Sequence, residues 1–145
     1  MRRAVYCSMI GICLTAASCS FEVSDNGKLD GFWQMKSVDT LSTGGSADLR
    51  LQELSWAFQG KALELRNAKV YHDDILMTFS HEGHVLSVSN PIRILRDSGD
   101  VVITDVEEIR HFGVNNLKEQ FNIVTLNGST MILQTDSLRL NFRKY

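Results

Sequence analysis

From Leu29 onward, apolar residues return mostly at every second position, the repeat of a half-buried strand. Gly31-Phe32-Trp33-Gln34-Met35-Lys36 puts Trp33 and Met35 on one side. Leu54, Trp56 and Phe58 alternate with Ser55 and Ala57; after Gln59-Gly60-Lys61, Leu63 and Leu65 alternate with Glu64 and Arg66. Leu49 and Leu51 keep the same period in the opposite phase, so an extra residue at Gln52-Glu53, a β-bulge, is predicted to restore the register. Ile75, Met77 and Phe79 lead through a Glu82-Gly83 turn to Leu86 and Val88, since glycine accepts the positive φ of a two-residue hairpin. A shorter strand is predicted over Val101 to Thr104, with Ile103 facing in. Phe121 and Ile123 precede Asn127-Gly128, a strong hairpin signal, and Met131-Ile132-Leu133 follows it. Asp136-Ser137 turns the chain last into Leu138, Leu140 and Phe142. Pro91 lacks a backbone donor and is expected at a strand end or edge.

One stretch departs from this period. Asp105-Val106-Glu107-Glu108 has the spacing of a capping box, Val106 and Ile109 stand at helical spacing, and Gly113 is a possible stop. One short helix is predicted near 105–112. Short strands joined by tight turns do not suit a parallel sheet, whose crossovers need long helical patterns. The choice lies between a two-sheet sandwich and an up-and-down antiparallel β-barrel of about eight strands. Successive hairpins favour the barrel, because closure removes exposed edges. The predicted class is therefore all-β, in one domain, as a chain of 145 residues allows.

The N-terminus is different in kind. Met1-Arg2-Arg3 is basic, and residues 4–17 are uncharged and mostly apolar. A membrane-spanning helix needs roughly 20 such residues, so this run fits the core of a signal peptide. It ends in Ala16-Ala17-Ser18-Cys19, which resembles a bacterial lipobox, with alanine at 16 where leucine is usual. That resemblance implies a signal peptide over 1–18 and a lipid on Cys19. Residues 19–28 then read as a polar tether, and 29–145 as the barrel domain. Cys7 and Cys13 fall in the discarded segment, so no internal disulfide is expected. Removing Arg2 and Arg3 changes the balance from 15 basic and 17 acidic residues to 13 and 17, or −4. Such a charge offers no electrostatic case for nucleic acid.

At Gly31-Phe32-Trp33 the chain carries the Gly-x-Trp signature that opens the first strand of lipocalins. The stretch as a whole, with its closing Asp136 to Tyr145, resembles the small lipocalin-like lipoproteins of Bacteroidales envelopes. The resemblance implies a barrel closed at one end by Trp33, with Arg143 or Arg139 packed over the ring as a cation–π partner. It also implies attachment to a bacterial envelope membrane, the outer one, through the lipid. The chain lacks the disulfide cysteines and the long C-terminal helix of larger secreted lipocalins.

Candidate chemistry is sparse. His81 and His84 flank Glu82-Gly83 and would face each other across a two-residue turn, a weak metal candidate with His72, Asp73 or Asp74 as a third ligand. Asp73-Asp74 in an extended segment would point to opposite faces, and Glu107-Glu108 suits the first turn of a helix. No Gly-x-Ser-x-Gly elbow or phosphate loop is present. The expectation is a non-enzymatic protein without a cofactor. Two readings follow. In the first, Trp33, Trp56, Phe58, Met77 and Phe79 line a cavity for a small apolar molecule. In the second, the barrel is solid, and its outer face or the long, polar, flexible loop Thr40 to Asp48 contacts an envelope protein or glycan.

Overall fold

The computed structural model describes residues 26–71 and 73–145. The signal segment 1–18, the lipidation site Cys19, the first part of the tether and His72 lie outside the described residues.

The described chain forms β1 (Gly31–Thr40), β2 (Gly45–Asp48), β3 (Leu54–Gln59), β4 (Ala62–Asn67), β5 (Ile75–Glu82), β6 (Val85–Arg93), β7 (Val101–Val102), β8 (Glu119–Leu126), β9 (Thr130–Gln134) and β10 (Leu138–Lys144). All pairings are antiparallel. The order runs β1-β3-β4-β5-β6-β8-β9-β10 and returns to β1, which closes an eight-stranded barrel. β2 and β7 are side strands on β1 and β6.

One end of the barrel, the base, carries a 3₁₀ turn at Gly27–Leu29 and the starts of β1, β4 and β6. There β1 pairs with β3 over Gly31 to Gln34, and β6 pairs with β8 over Val85 to Val88. At the other end, the rim, these pairings part. β1 continues with β2 over Ser37 to Thr40, and β6 continues with β7 at Ile92 and Arg93. The gap this leaves is filled by the segment between β7 and β8.

That segment is where a short helix was predicted. Two consecutive 3₁₀ turns form instead, Val106–Glu108 and Arg110–Phe112. Asp105 still caps, its side chain accepting from the Glu107 amide, and Gly113 still stops the turn in the left-handed region. The reason for 3₁₀ geometry is in the spacing. Val106, Ile109 and Phe112 recur every third residue, the 3₁₀ repeat, and so share one face.

Three other expectations shift. The bulge at Gln52-Glu53 is a larger break: Arg50–Gln52 forms a 3₁₀ turn, Glu53 adopts φ 56°, and Leu51 ends up exposed. Pro91 lies inside β6 and not at its end. It is tolerated because Asn90, at φ 55°, makes a bulge opposite Met77 just where β6 exchanges β8 for β7. Thr40 to Asp48 is an ordered exposed hairpin and not a loose loop.

The alternating apolar set does face inward. Trp33, Met35, Trp56, Leu63, Leu65, Ile75, Met77, Leu86, Val88, Phe121 and Leu140 are fully buried in one cluster, and Leu138 is half-buried at its margin. Leu29, Ile109, Phe112, Val114, Met131 and Leu133 complete it.

Candidate functional site

The place where a barrel of this size would receive a ligand is its interior, and the two tryptophans define what occupies it. Trp33 and Trp56 are direct partners across β1 and β3. Each sends its ring N–H to a different end. Trp33 Nε1 donates to the Leu29 carbonyl at 2.7 Å, and Trp56 Nε1 donates to the Phe112 carbonyl at 3.1 Å. Neither ring reaches solvent.

At the base, Gly31 has φ +114°, and a Cβ there would lie 3.0 Å from Lys144 Cε. Glycine therefore leaves a path for the Lys144 side chain, whose Nζ sits 5.0 Å from the Trp33 ring centroid and donates to the Lys28 carbonyl at 3.2 Å. This is the physical content of the Gly-x-Trp pair: the glycine admits the cation that covers the tryptophan. The cation is Lys144, not Arg143 or Arg139. Arg143 pairs with Gln34 on the outer face and donates to its Oε1 at 2.6 Å, and Arg139 donates to Gln134. Strand parity decides this: Lys144 is two places beyond inward-facing Phe142, and Arg143 is one.

The proposed cavity wall is itself packed. Trp56 meets Phe142 edge-on at 5.1 Å, Phe121 at 5.6 Å and Phe58 at 6.2 Å between centroids, and Phe58 meets Phe79 at 5.0 Å. Such pairs contribute about 0.5–1.5 kcal/mol each beyond area burial. Met77 lies fully buried beside them. The structure thus brings Trp56, Phe58 and Phe79 together as neighbours in an aromatic core, with Trp33 closing its base.

The rim is stoppered by Ile109, Phe112 and Val114, all fully buried. Gly113, at φ +84°, lets the backbone press on Leu140, whose methyls stand 2.8 Å from where a Cβ would be. A charged clasp holds the stopper from outside. Arg93 binds Asp73 at 2.8 Å and Glu108 at 3.0 Å, and His111 Nε2 lies 3.1 Å from Asp73. The Arg93 guanidinium is held further toward its charged form, first by the hydrogen bond to Asp73. Asp73 is thus a structural partner, separate from the histidine pair it was grouped with.

His81 and His84 do not face each other. Glu82 pairs with Val85, so Gly83-His84 makes the turn and His81 stands opposite Leu86. His81 Nε2 is 3.0 Å from the Gly83 carbonyl. The turn lies one residue later than expected because Gly83, at φ +59°, takes its first central position. Among the described residues, no three His, Cys, Asp or Glu side chains gather as metal ligands.

Outside the barrel, a groove of about 770 Å³ runs over the outer faces of β1, β3 and β4. Its floor is low where the outward β3 residue that lines it, Ser55, is small. Phe32 and Tyr145 form one side; the segment from Asn67 to Tyr71 forms another. Sequence reading missed it, because the wall residues come from a turn with no periodicity.

Residues 12–145 match the lipocalin-like domain family. The chain belongs to that family. A lipocalin-like protein from Bacteroides uniformis shares its fold at TM-score 0.61 and 21% identity, over 82% of this chain and 100% of that one. An uncharacterized protein from Bacteroides eggerthii does so at TM-score 0.57 and 14% identity, over 80% and 98%. None of the curated proteins matches. At these identities the lipocalin-like likeness carries the fold and leaves the ligand open.

Proposed function

We propose that this lipocalin-like protein is a non-enzymatic envelope lipoprotein, moored to the outer membrane by a lipid on Cys19, whose barrel is a solid scaffold and whose outer surface does the binding. One observation carries the reading: Trp56 fills the barrel axis and is hydrogen-bonded to the stopper at Phe112, so the interior is spent on the protein's own side chains. An eight-stranded barrel is close to the size at which side chains alone fill it. The mooring rests on the lipobox-like Ala16-Ala17-Ser18-Cys19. One acyl chain holds only marginally, so more than one is needed for firm attachment.

The rival places a small apolar molecule among Trp33, Trp56, Phe58, Met77 and Phe79, and it needs those rings to part. Native mass spectrometry of protein extracted from its own membranes separates the two. The expected spectrum shows the polypeptide from Cys19 onward plus covalent acyl mass, with no releasable apolar adduct. A stoichiometric apolar adduct would overturn the solid-scaffold reading, and an unacylated N-terminus would overturn the mooring.

A further inference from the structure

We infer that the outer groove is a binding site for an uncharged saccharide chain. The inference rests on the solid-scaffold reading above and names the ligand class of its outer surface. Three features carry it.

The first is exposed aromatic area. Phe32 is 49% exposed, Tyr145 74% and Tyr71 85%, and all three line the groove. Phe32 is an outward strand residue beside small Ala57, so about half of its surface stays exposed although the Arg66 guanidinium reaches over the ring. Aromatic faces of this kind take the C–H face of a pyranose ring, which is apolar although the ring's rim carries hydroxyls.

The second is the polar set between the rings. Glu64 and Arg66 project from the same face of β4, with Arg66 Nε 3.6 Å from Glu64 and its guanidinium carbon 6.0 Å from the Phe32 ring centroid. Asn67 is fixed at the wall, accepting from the Lys69 amide at 3.1 Å, while the Ala68 amide donates to the Glu53 carbonyl at 3.2 Å. Carboxylate, guanidinium and amide are planar groups that meet vicinal hydroxyls two at a time.

The third feature excludes other classes. The groove's side chains carry three acids (Glu53, Glu64, Asp74) and three bases (Arg66, Lys69, Arg96), so no net field favours an anionic polymer. An extended peptide would seek unpaired strand backbone. Here β3 is paired with β1 over Ser55 to Phe58 and with β4 along its length, and β4 is paired with β5 over Ala62 to Leu65, so only the last two residues of β4 lack a second strand. That is too short an edge to hold an extended peptide, and side chains must do most of the recognising. The volume, about 770 Å³, lies within the ~300–1,000 Å³ of small-ligand sites and admits more than one sugar ring.

The full-length protein, purified in detergent, is to be applied to an array of neutral glycans, anionic glycans and peptides. Retention by neutral hexopyranose chains, lowered at least fivefold by Tyr71→Ala and by Glu64→Gln and unchanged by Val124→Ala on another outer face, is the expected result. No retention anywhere, retention by anionic glycans or peptides only, or neutral-glycan retention insensitive to Tyr71→Ala and Glu64→Gln overturns the inference. Native mass spectrometry stays independent of this outcome. A barrel without adduct and without glycan retention sinks the saccharide alone, and an apolar adduct sinks the scaffold reading beneath it.

Discussion

The base and the rim of this barrel are closed by opposite means. At the base the strands keep their partners to the end, and the inward alternation continues: Trp33 stands opposite Lys144 in register, and a glycine two places earlier gives the lysine its path. At the rim β1 leaves β3 and β6 leaves β8, and a segment with no strand period is inserted and clasped by Arg93. Closure at the base is therefore a property of the sheet itself. Closure at the rim is a docking event, which depends on contacts made across long stretches of chain. In an open barrel the rim would be the ligand's entrance, so its stopper decides whether the interior is a core or a cavity.

The hardest test of this contrast removes the residue that joins the two ends. Trp56→Ala deletes a fully buried indole that touches Phe58, Phe121 and Phe142 and leaves the Phe112 carbonyl without its donor. A loss of about 3–5 kcal/mol is expected from urea denaturation, typical of large aromatic truncations in a core. A loss below about 1 kcal/mol would mean that the interior is loose enough to hold something else.

A paired substitution separates the ends. Gly113→Ala puts a methyl 2.8 Å from both Leu140 methyls at φ +84°, in a buried spot where Leu140 has no room to turn. Overpacking and left-handed strain together should cost about 2–4 kcal/mol. Gly31→Ala meets only Lys144 Cε, at 3.0 Å, near the end of a flexible side chain at the surface. Its cost should be smaller, about 1–2 kcal/mol of backbone strain. Hydrogen exchange checks the location: Gly113→Ala should expose amides of 106–113 and spare β1, and Gly31→Ala the reverse. Equal effects at both ends would erase the distinction drawn between them.

The same contrast explains what could be read from the chain. Strand alternation is a local property, so Trp33, Met35, Leu54, Trp56, Phe58 and the hairpin partners that follow were legible, and the barrel with them. Lys144 was legible too, by counting two from Phe142; the family habit of an arginine pointed instead to Arg143, which parity sends outward. The stopper was half legible. Its capping aspartate and terminal glycine were visible, but the three-residue repeat of Val106, Ile109 and Phe112 reads as a helix unless 3₁₀ is considered. Where that segment docks has no local signal, because Trp56 and Phe112 meet only once the sheet has closed. The outer groove was illegible for a related reason: small Ser55 matters only through the larger side chains the fold sets around it.

The smallest effect belongs to the rim's outermost part and marks where the docked stopper stops mattering. Asp48, on the exposed hairpin, binds Arg50, and the hydrogen bonds from the Arg50 side chain and amide lower its pKa from 3.8 to about 2. A carboxylate depressed on folding adds stability above its ordinary value, and that contribution fades as pH falls from 3.8 toward 2. Both partners are solvated, so the attraction is screened. Asp48→Asn is therefore expected to lower the urea midpoint at pH 7 only slightly, far less than Gly113→Ala, and to flatten its decline between pH 4 and 2. Asp39, whose pKa is also lowered, first by the side-chain hydrogen bond with Ser46, remains in both proteins, so the two curves should converge without becoming flat. High salt should shrink their difference further. If Asp48→Asn instead cost as much at pH 7 as Gly113→Ala, the hairpin would be a brace for the stopper, and the rim would be closed by two elements acting together.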